Sequence, residues 1–330
     1  MTRRILLTVS VLLIAALVAG ALLTGLYWWR LTAPGPTDAP TVMLIERGAT
    51  VPEIARDLDQ QGVIDSPALF RLAVRVRQAG RALRAGEYEI PAGAGLFAVV
   101  DTLTTADPIQ RRLTVPEGLT SLEIVRLIRE APRLVGDIDT VPDEGRLLPE
   151  TYFYVAGETR AAPVHRMKAA MDEAVTQAWA QRADNLAIDT PDQAVILASI
   201  VEKETGLASE RRRVAAVFHN RLRRGMRLQS DPTVIYAVAG GEGLERALTR
   251  QDLDVDDAYN TYRTRGLPPG PIANPGKAAL IAAVNPADSA DLYFVADGSG
   301  GHAFARTLEQ HNANVARWRR HQRKQAQGDP

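Results

Sequence analysis

The 330-residue chain has no cysteine, which excludes disulfide frameworks, thiolate zinc sites and cysteine nucleophiles together. It has no excess of charge: 39 Lys and Arg balance 39 Asp and Glu. Nothing therefore argues for nucleic acid as a partner, because phosphate binding needs a basic field that displaces counterions. Histidine is scarce, with residues scattered at His165, His219, His302, His311 and His321. No His-Glu-x-x-His or clustered spacing occurs, so no metal is implied, and no other cofactor is called for. His302, after Gly300-Gly301, either reaches a site or is a satisfied strand histidine. A hydrophobic content of 46% is that of a globular protein, and the length allows about two domains at ~100 to 200 residues each.

What is present begins at the N-terminus. Ile5 to Trp28 carries no charge and matches the ~20 apolar residues that span a bilayer, where the apolar stretch of a cleaved signal peptide has only ~7 to 15. Arg3 and Arg4 precede the span and Arg30 alone follows closely. The positive-inside rule then predicts a cytoplasmic N-terminus, a single pass through the membrane and a remainder that lies outside. Tyr27, Trp28 and Trp29 suit the far interface. Residues 31–40 (LTAPGPTDAP) read as an extended spacer.

From Thr41 a strand, Gly turn and capped helix recur: Val42 to Ile45 with Thr50 and Glu53, then Leu113 to Val115 with Thr120 and Glu123, both at capping-box spacing. The helices are expected to turn Ile54, Ala55 and Leu58, or Leu122, Val125 and Leu127, inward. A degenerate third copy runs from Tyr88 to Leu103. Beyond Leu147 the pattern is mostly helical. Thr190-Pro191, Asp231-Pro232 and Asn274-Pro275 each look like a capping side chain before Pro in a first turn. Leu292 to Ala296 and His302 to Arg306 flank a Gly-rich turn as a hairpin, and a last helix covers about Thr307 to Arg323.

On Pro191 to Thr205, Leu197, Ile200, Val201 and Glu204 fall on one stripe at 3.6 residues per turn. A carboxyl among apolar side chains has its charged form disfavoured, which is what a general acid near neutral pH requires. The alternative is a frayed helix end where Glu204 pairs with Arg211 or Arg212. Gln229-Ser230-Asp231, Tyr259-Asn260-Thr261-Tyr262 and Gly266-Leu267-Pro268-Pro269-Gly270 supply the amides, hydroxyls and rings a sugar site needs; caps and rigid turns account for the same residues structurally.

Ala198-Ser199-Ile200-Val201-Glu202-Lys203-Glu204-Thr205, Val217-Phe218-His219-Asn220-Arg221-Leu222, Gly225-Met226-Arg227-Leu228-Gln229-Ser230-Asp231-Pro232-Thr233, Tyr259-Asn260-Thr261-Tyr262 and Tyr293-Phe294-Val295 together resemble the YceG-like (MltG) family of endolytic murein transglycosylases. The likeness covers nearly the whole chain. Together with the patterns above, the likeness gives the expectation of an α+β fold: a transmembrane anchor within residues 1–30, a spacer at 31–40, a β/α region at 41–140 whose strand, Gly turn and capped-helix pattern resembles a LysM-like module or is a structural subdomain, and a mainly helical catalytic domain with a β-hairpin at 141–327. It implies Glu204 as acid/base, with Glu202 as competitor, and a substrate groove of Gln229, Ser230, Asp231, Tyr259, Asn260 and Tyr262. It further implies cleavage of the MurNAc-GlcNAc bond of nascent peptidoglycan strands with 1,6-anhydroMurNAc ends, near penicillin-binding synthases and inner-membrane lipid. A hydrolytic muramidase, with Glu202 or Asp231 positioning water, and a noncatalytic peptidoglycan-binding scaffold are the alternatives. In Leu147-Leu148-Pro149-Glu150-Thr151-Tyr152 the chain departs from the family, which more often has an aromatic before Pro and Asp after it.

Overall fold

The structure is a computed structural model that describes residues 2–327, with side chains described from 7 to 325. The side chains of Arg3 and Arg4, on which the expected orientation rests, lie outside the described residues. The chain forms two compact units: Met1–Arg111 with Pro132–Leu134 and Phe153–Glu158, and Arg112–Ala131 with Val135–Tyr152 and Thr159–Pro330.

The first unit opens with α1 (Thr2–Thr32). Among the described residues it is the one helix long and apolar enough to cross a membrane, over Leu7–Thr32. Its apolar side chains from Leu7 to Trp29 are exposed, whereas Leu31 is buried in the unit's core. β1 (Thr41–Ile45), α2 (Val51–Gln60), α3 (Pro67–Val76), β2 (Gly86–Ile90) and α4 (Leu96–Thr105) follow. β1 and β2 pair antiparallel with Met43 opposite Tyr88. The capping box forms, with the Thr50 amide donating to Glu53 at 2.7 Å, and Ile54, Ala55 and Leu58 are buried as the 3.6-residue period requires.

β3 (Gln110–Thr114) pairs with β4 (Thr151–Val155) in a second two-stranded sheet. The helices of the second unit are α5 (Ser121–Glu130), α6 (Ala161–Ala180), α7 (Pro191–Glu204), α8 (Ala208–Arg223), α9 (Asp231–Ala239), α10 (Lys277–Val284) and α11 (Leu308–Gln327); β5 (Tyr293–Ala296) and β6 (His302–Ala305) form the expected antiparallel hairpin. On α5 the Thr120–Glu123 capping box forms, but the buried stripe is Ser121, Ile124, Val125 and Ile128. Leu122 and Leu127 are only partly buried; Leu127, two positions on from Val125, is turned away from the core.

α7 runs through the middle of the second core, where Leu197, Ala198, Ile200 and Val201 are fully buried. Each large apolar side chain removed from water stabilises by ~1.5 to 3 kcal/mol. Thr190 caps this helix, its hydroxyl accepting from the Gln193 amide at 3.2 Å. The other two expected caps are corrected. Ser230, not Asp231, is the N-cap of α9, and Asp231 is its first helical residue. Gly276 precedes α10. Asn274 is instead a buried bracket: its Oδ1 accepts from the Leu147 amide at 2.9 Å, and its Nδ2 donates to the Leu119 carbonyl, Ser121 Oγ and Glu144 Oε1 at 3.1, 3.1 and 2.9 Å. These bonds hold the Asn274 side chain toward the 119–147 segment, and Gly276 takes the N-cap position of α10.

Candidate active site

Glu204 is the last residue of α7, and the extended backbone of Thr205 stops the helix there. The apolar stripe that packs the helix aims the Glu204 carboxyl into a cleft of about 550 Å³ in the second unit. Gln229, Asp231 and Tyr262 line one side, Arg221 and the β5–β6 hairpin another, and Leu308, His311, Asn312 and Val315 of α11 a third.

Ser230 Oγ donates to Glu204 Oε1 at 2.5 Å. Ser230 is itself buried and fixed, its amide donating to Thr261 Oγ1 at 3.0 Å. Burial is the largest influence on Glu204 and pushes its carboxyl up to about 7. The Ser230 hydrogen bond opposes the shift, Asp231 adds to it, and His302 and Arg221 oppose it. Placement at the helix C-terminus, the end disfavoured for an anion, acts in the upward direction as well. The result is a carboxyl that can hold a proton near neutrality and release it to a bound group.

Tyr262 donates its hydroxyl to Asp231 Oδ1 at 2.6 Å, and burial together with that bond pushes the phenol upward. Gln229 is exposed at the cleft edge with φ 51°, a left-handed conformation that a non-glycine residue adopts at some cost. Its amide donates to the Thr261 carbonyl at 3.2 Å.

Of the residues singled out from sequence, Glu204, Gln229, Asp231 and Tyr262 line the cleft, and Ser230 reaches it through Glu204. Tyr259 and Asn260 do not. Tyr259 packs on Tyr236 with ring centroids 4.9 Å apart. Asn260 is fully buried and bridges the Leu253 and Val255 carbonyls at 3.0 and 2.8 Å. Glu202 faces elsewhere too, accepting from the Gly276 amide at 2.9 Å, with Arg211 3.6 Å away. Burial raises its carboxyl. The arginines that a frayed Glu204 could have met are thus engaged elsewhere, Arg211 with Glu202 and Arg212 with the Asn285 carbonyl at 2.7 Å. Glu150, in the divergent segment, pairs with Lys277 at 3.2 Å.

Sequence reasoning missed two parts of this cleft. Arg221 is buried, donates to the Leu292 and Leu228 carbonyls at 2.7 and 2.6 Å, and lies over the Tyr293 ring. The α11 wall had a signal, since 308, 311, 312 and 315 stand at i, i+3, i+4 and i+7. Among the described residues no group of His, Cys, Asp and Glu is placed to hold a metal ion.

Fold and site define an α+β protein whose cleft is organised around one proton-holding carboxyl. The chain belongs to the YceG-like family, whose profile matches residues 43–317. It is 30% identical over 320 residues to a Bacillus subtilis protein named endolytic murein transglycosylase, covering 87% of this chain and 88% of that one. A Streptococcus pneumoniae protein of the same name is 28% identical over 82% of this chain, which spans only 57% of that relative's length. A crystal structure of a yceG-like protein from Listeria monocytogenes superposes with a TM-score of 0.51 at 28% identity, covering 84% of this chain and 99% of that one.

Proposed function

We propose that this chain is an endolytic murein transglycosylase, a lyase that cuts peptidoglycan glycan strands with Glu204 as its acid/base. The observation that carries the reading is the Glu204 carboxyl, held near 7 by burial in a cleft lined with hydrogen-bonding and ring side chains. Protonated Glu204 donates to the oxygen between N-acetylmuramic acid and N-acetylglucosamine. The C1–O bond breaks and the 2-acetamido group stabilises the oxocarbenium-like state. The muramyl C6 hydroxyl then attacks C1, and its proton ends on the Glu204 carboxylate. A 1,6-anhydro ring closes and no water is consumed, so one carboxyl suffices where ordinary glycosidases use two. Acid/base work of this kind contributes ~10²- to 10⁴-fold, with orientation in the cleft adding to it.

α1 anchors the enzyme in the inner membrane with the N-terminus in the cytoplasm, so the cleft works on strands near the membrane, beside the penicillin-binding synthases that make them. The β-α-α-β arrangement of the first unit suits a LysM-like glycan grip. A second reading, hydrolysis, draws on Asp231 as another carboxyl in the same cleft that could position water. Muropeptide mass spectrometry separates them. Full-length protein in detergent should release anhydro-muramyl ends from purified peptidoglycan, and Glu204→Gln should release them at least ~10²-fold more slowly. Reducing ends would mean hydrolysis, and no cleavage by the wild type would leave a binding scaffold.

A further inference from the structure

We propose that His302 is a second residue that touches the substrate, taking the proton of the muramyl C6 hydroxyl at Nε2 and passing it to Glu204. This rests on the transglycosylase reading above. His302 opens β6 and lines the same cleft as Glu204.

Glu210, in the first turn of α8, holds it at two points. The His302 amide donates to Glu210 Oε1 at 3.0 Å, and His302 Nδ1 lies 2.7 Å from Glu210 Oε2. The preceding residue is matched to this grip, for a Cβ on Gly301 would stand 2.8 Å from Glu210 Oε1. Phe294 meets the imidazole edge-on at 5.3 Å. The ring is therefore fixed in both position and tilt.

A carboxylate only accepts hydrogen bonds, so in the neutral ring the Nδ1 facing Glu210 carries the proton and Nε2 is left as an acceptor. Nε2 has no hydrogen-bond partner among the described residues. Glu204 and His302 line one cleft of about 550 Å³, so a single bound sugar can meet both.

The reaction has work for such an atom. A carboxyl aligned on the glycosidic oxygen must otherwise swing to the C6 hydroxyl between the two halves of the reaction. With His302 present, the C1–O4 bond breaks as O4 takes the Glu204 proton. O6 bonds to C1 as its proton moves to Nε2. The imidazolium then returns a proton to the Glu204 carboxylate, which restores the acid with no proton gained or lost.

Glu210→Gln tests the tautomer with almost no change of shape. The amide oxygen must accept from the His302 backbone, which turns the NH₂ toward Nδ1, forces the ring proton onto Nε2 and removes the acceptor. Full-length Glu210→Gln and His302→Gln are compared with wild type for rate and for muropeptide ends, with thermal unfolding of each as the folding control. The expected result is a loss on the order of 10²-fold in both, with reducing ends appearing among the residual products as water replaces the poorly activated C6 hydroxyl. Glu210→Gln carries the test if His302→Gln fails to fold. Rates within twofold of wild type, or slower cleavage that still yields anhydro ends alone, would overturn the proton-acceptor role. Wild type that yields no anhydro ends would instead overturn the transglycosylase reading, and this inference with it.

Discussion

Ser230 occupies the capping position of α9, yet its hydroxyl donates not to that helix but to Glu204, at 2.5 Å and 26 residues away in sequence. A residue type chosen for helix starts has been redirected to a partly buried carboxyl. The helix start is supported otherwise: Pro in the first turn needs no amide partner, and Thr233 donates its amide and hydroxyl to the Ser230 carbonyl at 3.2 and 2.7 Å.

The first prediction concerns stability. Glu204 titrates at about 7 when folded against 4.5 as its reference. Between those values the native state holds more protons than the unfolded one, so this group lowers stability progressively as pH rises from 4.5 to 7. At 1.36 kcal/mol per pH unit the full cost is at most about 3 kcal/mol. Glu204→Gln cannot ionise. Urea unfolding should find it more stable than wild type at pH 8 and equal at pH 4, and equal midpoints at both pH values would mean the carboxyl is not desolvated.

Activity should carry the same proton. On the proposed mechanism cleavage needs protonated Glu204, so it is expected to decline as pH rises through about 7. The Ser230 hydrogen bond favours the carboxylate, so Ser230→Ala should raise the Glu204 value further and move the alkaline limb of the pH–rate profile upward. A limb that stays put or moves down would show that Ser230 does not set the proton affinity.

Glu202 and Glu204 differ in what their carboxyls meet. Glu202 accepts from the Gly276 amide and lies near Arg211, outside the cleft. Glu202→Gln keeps an acceptor for the amide and should retain cleavage within about tenfold, where Glu204→Gln loses the ~10²- to 10⁴-fold of acid/base catalysis. Parallel rate assays decide it, and equal losses would move the acid to Glu202.

Asn274 is predicted to matter for folding. Its side chain makes four hydrogen bonds to groups between Leu119 and Leu147. At ~1 kcal/mol each, with buried partners left unpaired, Asn274→Ala should cost about 2 to 4 kcal/mol. Denaturant unfolding measures the loss, and a change under 1 kcal/mol would mean the bracket is replaced by neighbouring groups.

Elements that rest on nearest-neighbour chemistry were legible in the chain. The apolar α1, the two Thr–Glu capping boxes, the Thr190 cap and the hairpin around Gly298 to Gly301 all lie where composition and spacing put them. Errors began where two local solutions competed. Asp231 and Asn274 precede Pro as caps do, but one accepts from the Tyr262 hydroxyl and the other braces distant loops. Tyr259 and Asn260 share a polar run with Tyr262, yet the turn sends them into the fold and only Tyr262 into the cleft.

By itself the sequence determined that Glu204 shares a face with Leu197, Ile200 and Val201, because helical periodicity is a local property that needs no partner. What surrounds that carboxyl was decided by tertiary structure alone. Ser230, Asp231, Arg221 and His302 act on Glu204 from other parts of the chain, and their influence depends on burial and distance, which close only when those segments pack together. A proton affinity is the sum of such through-space influences, so the helix period places the carboxyl and the fold sets its proton affinity.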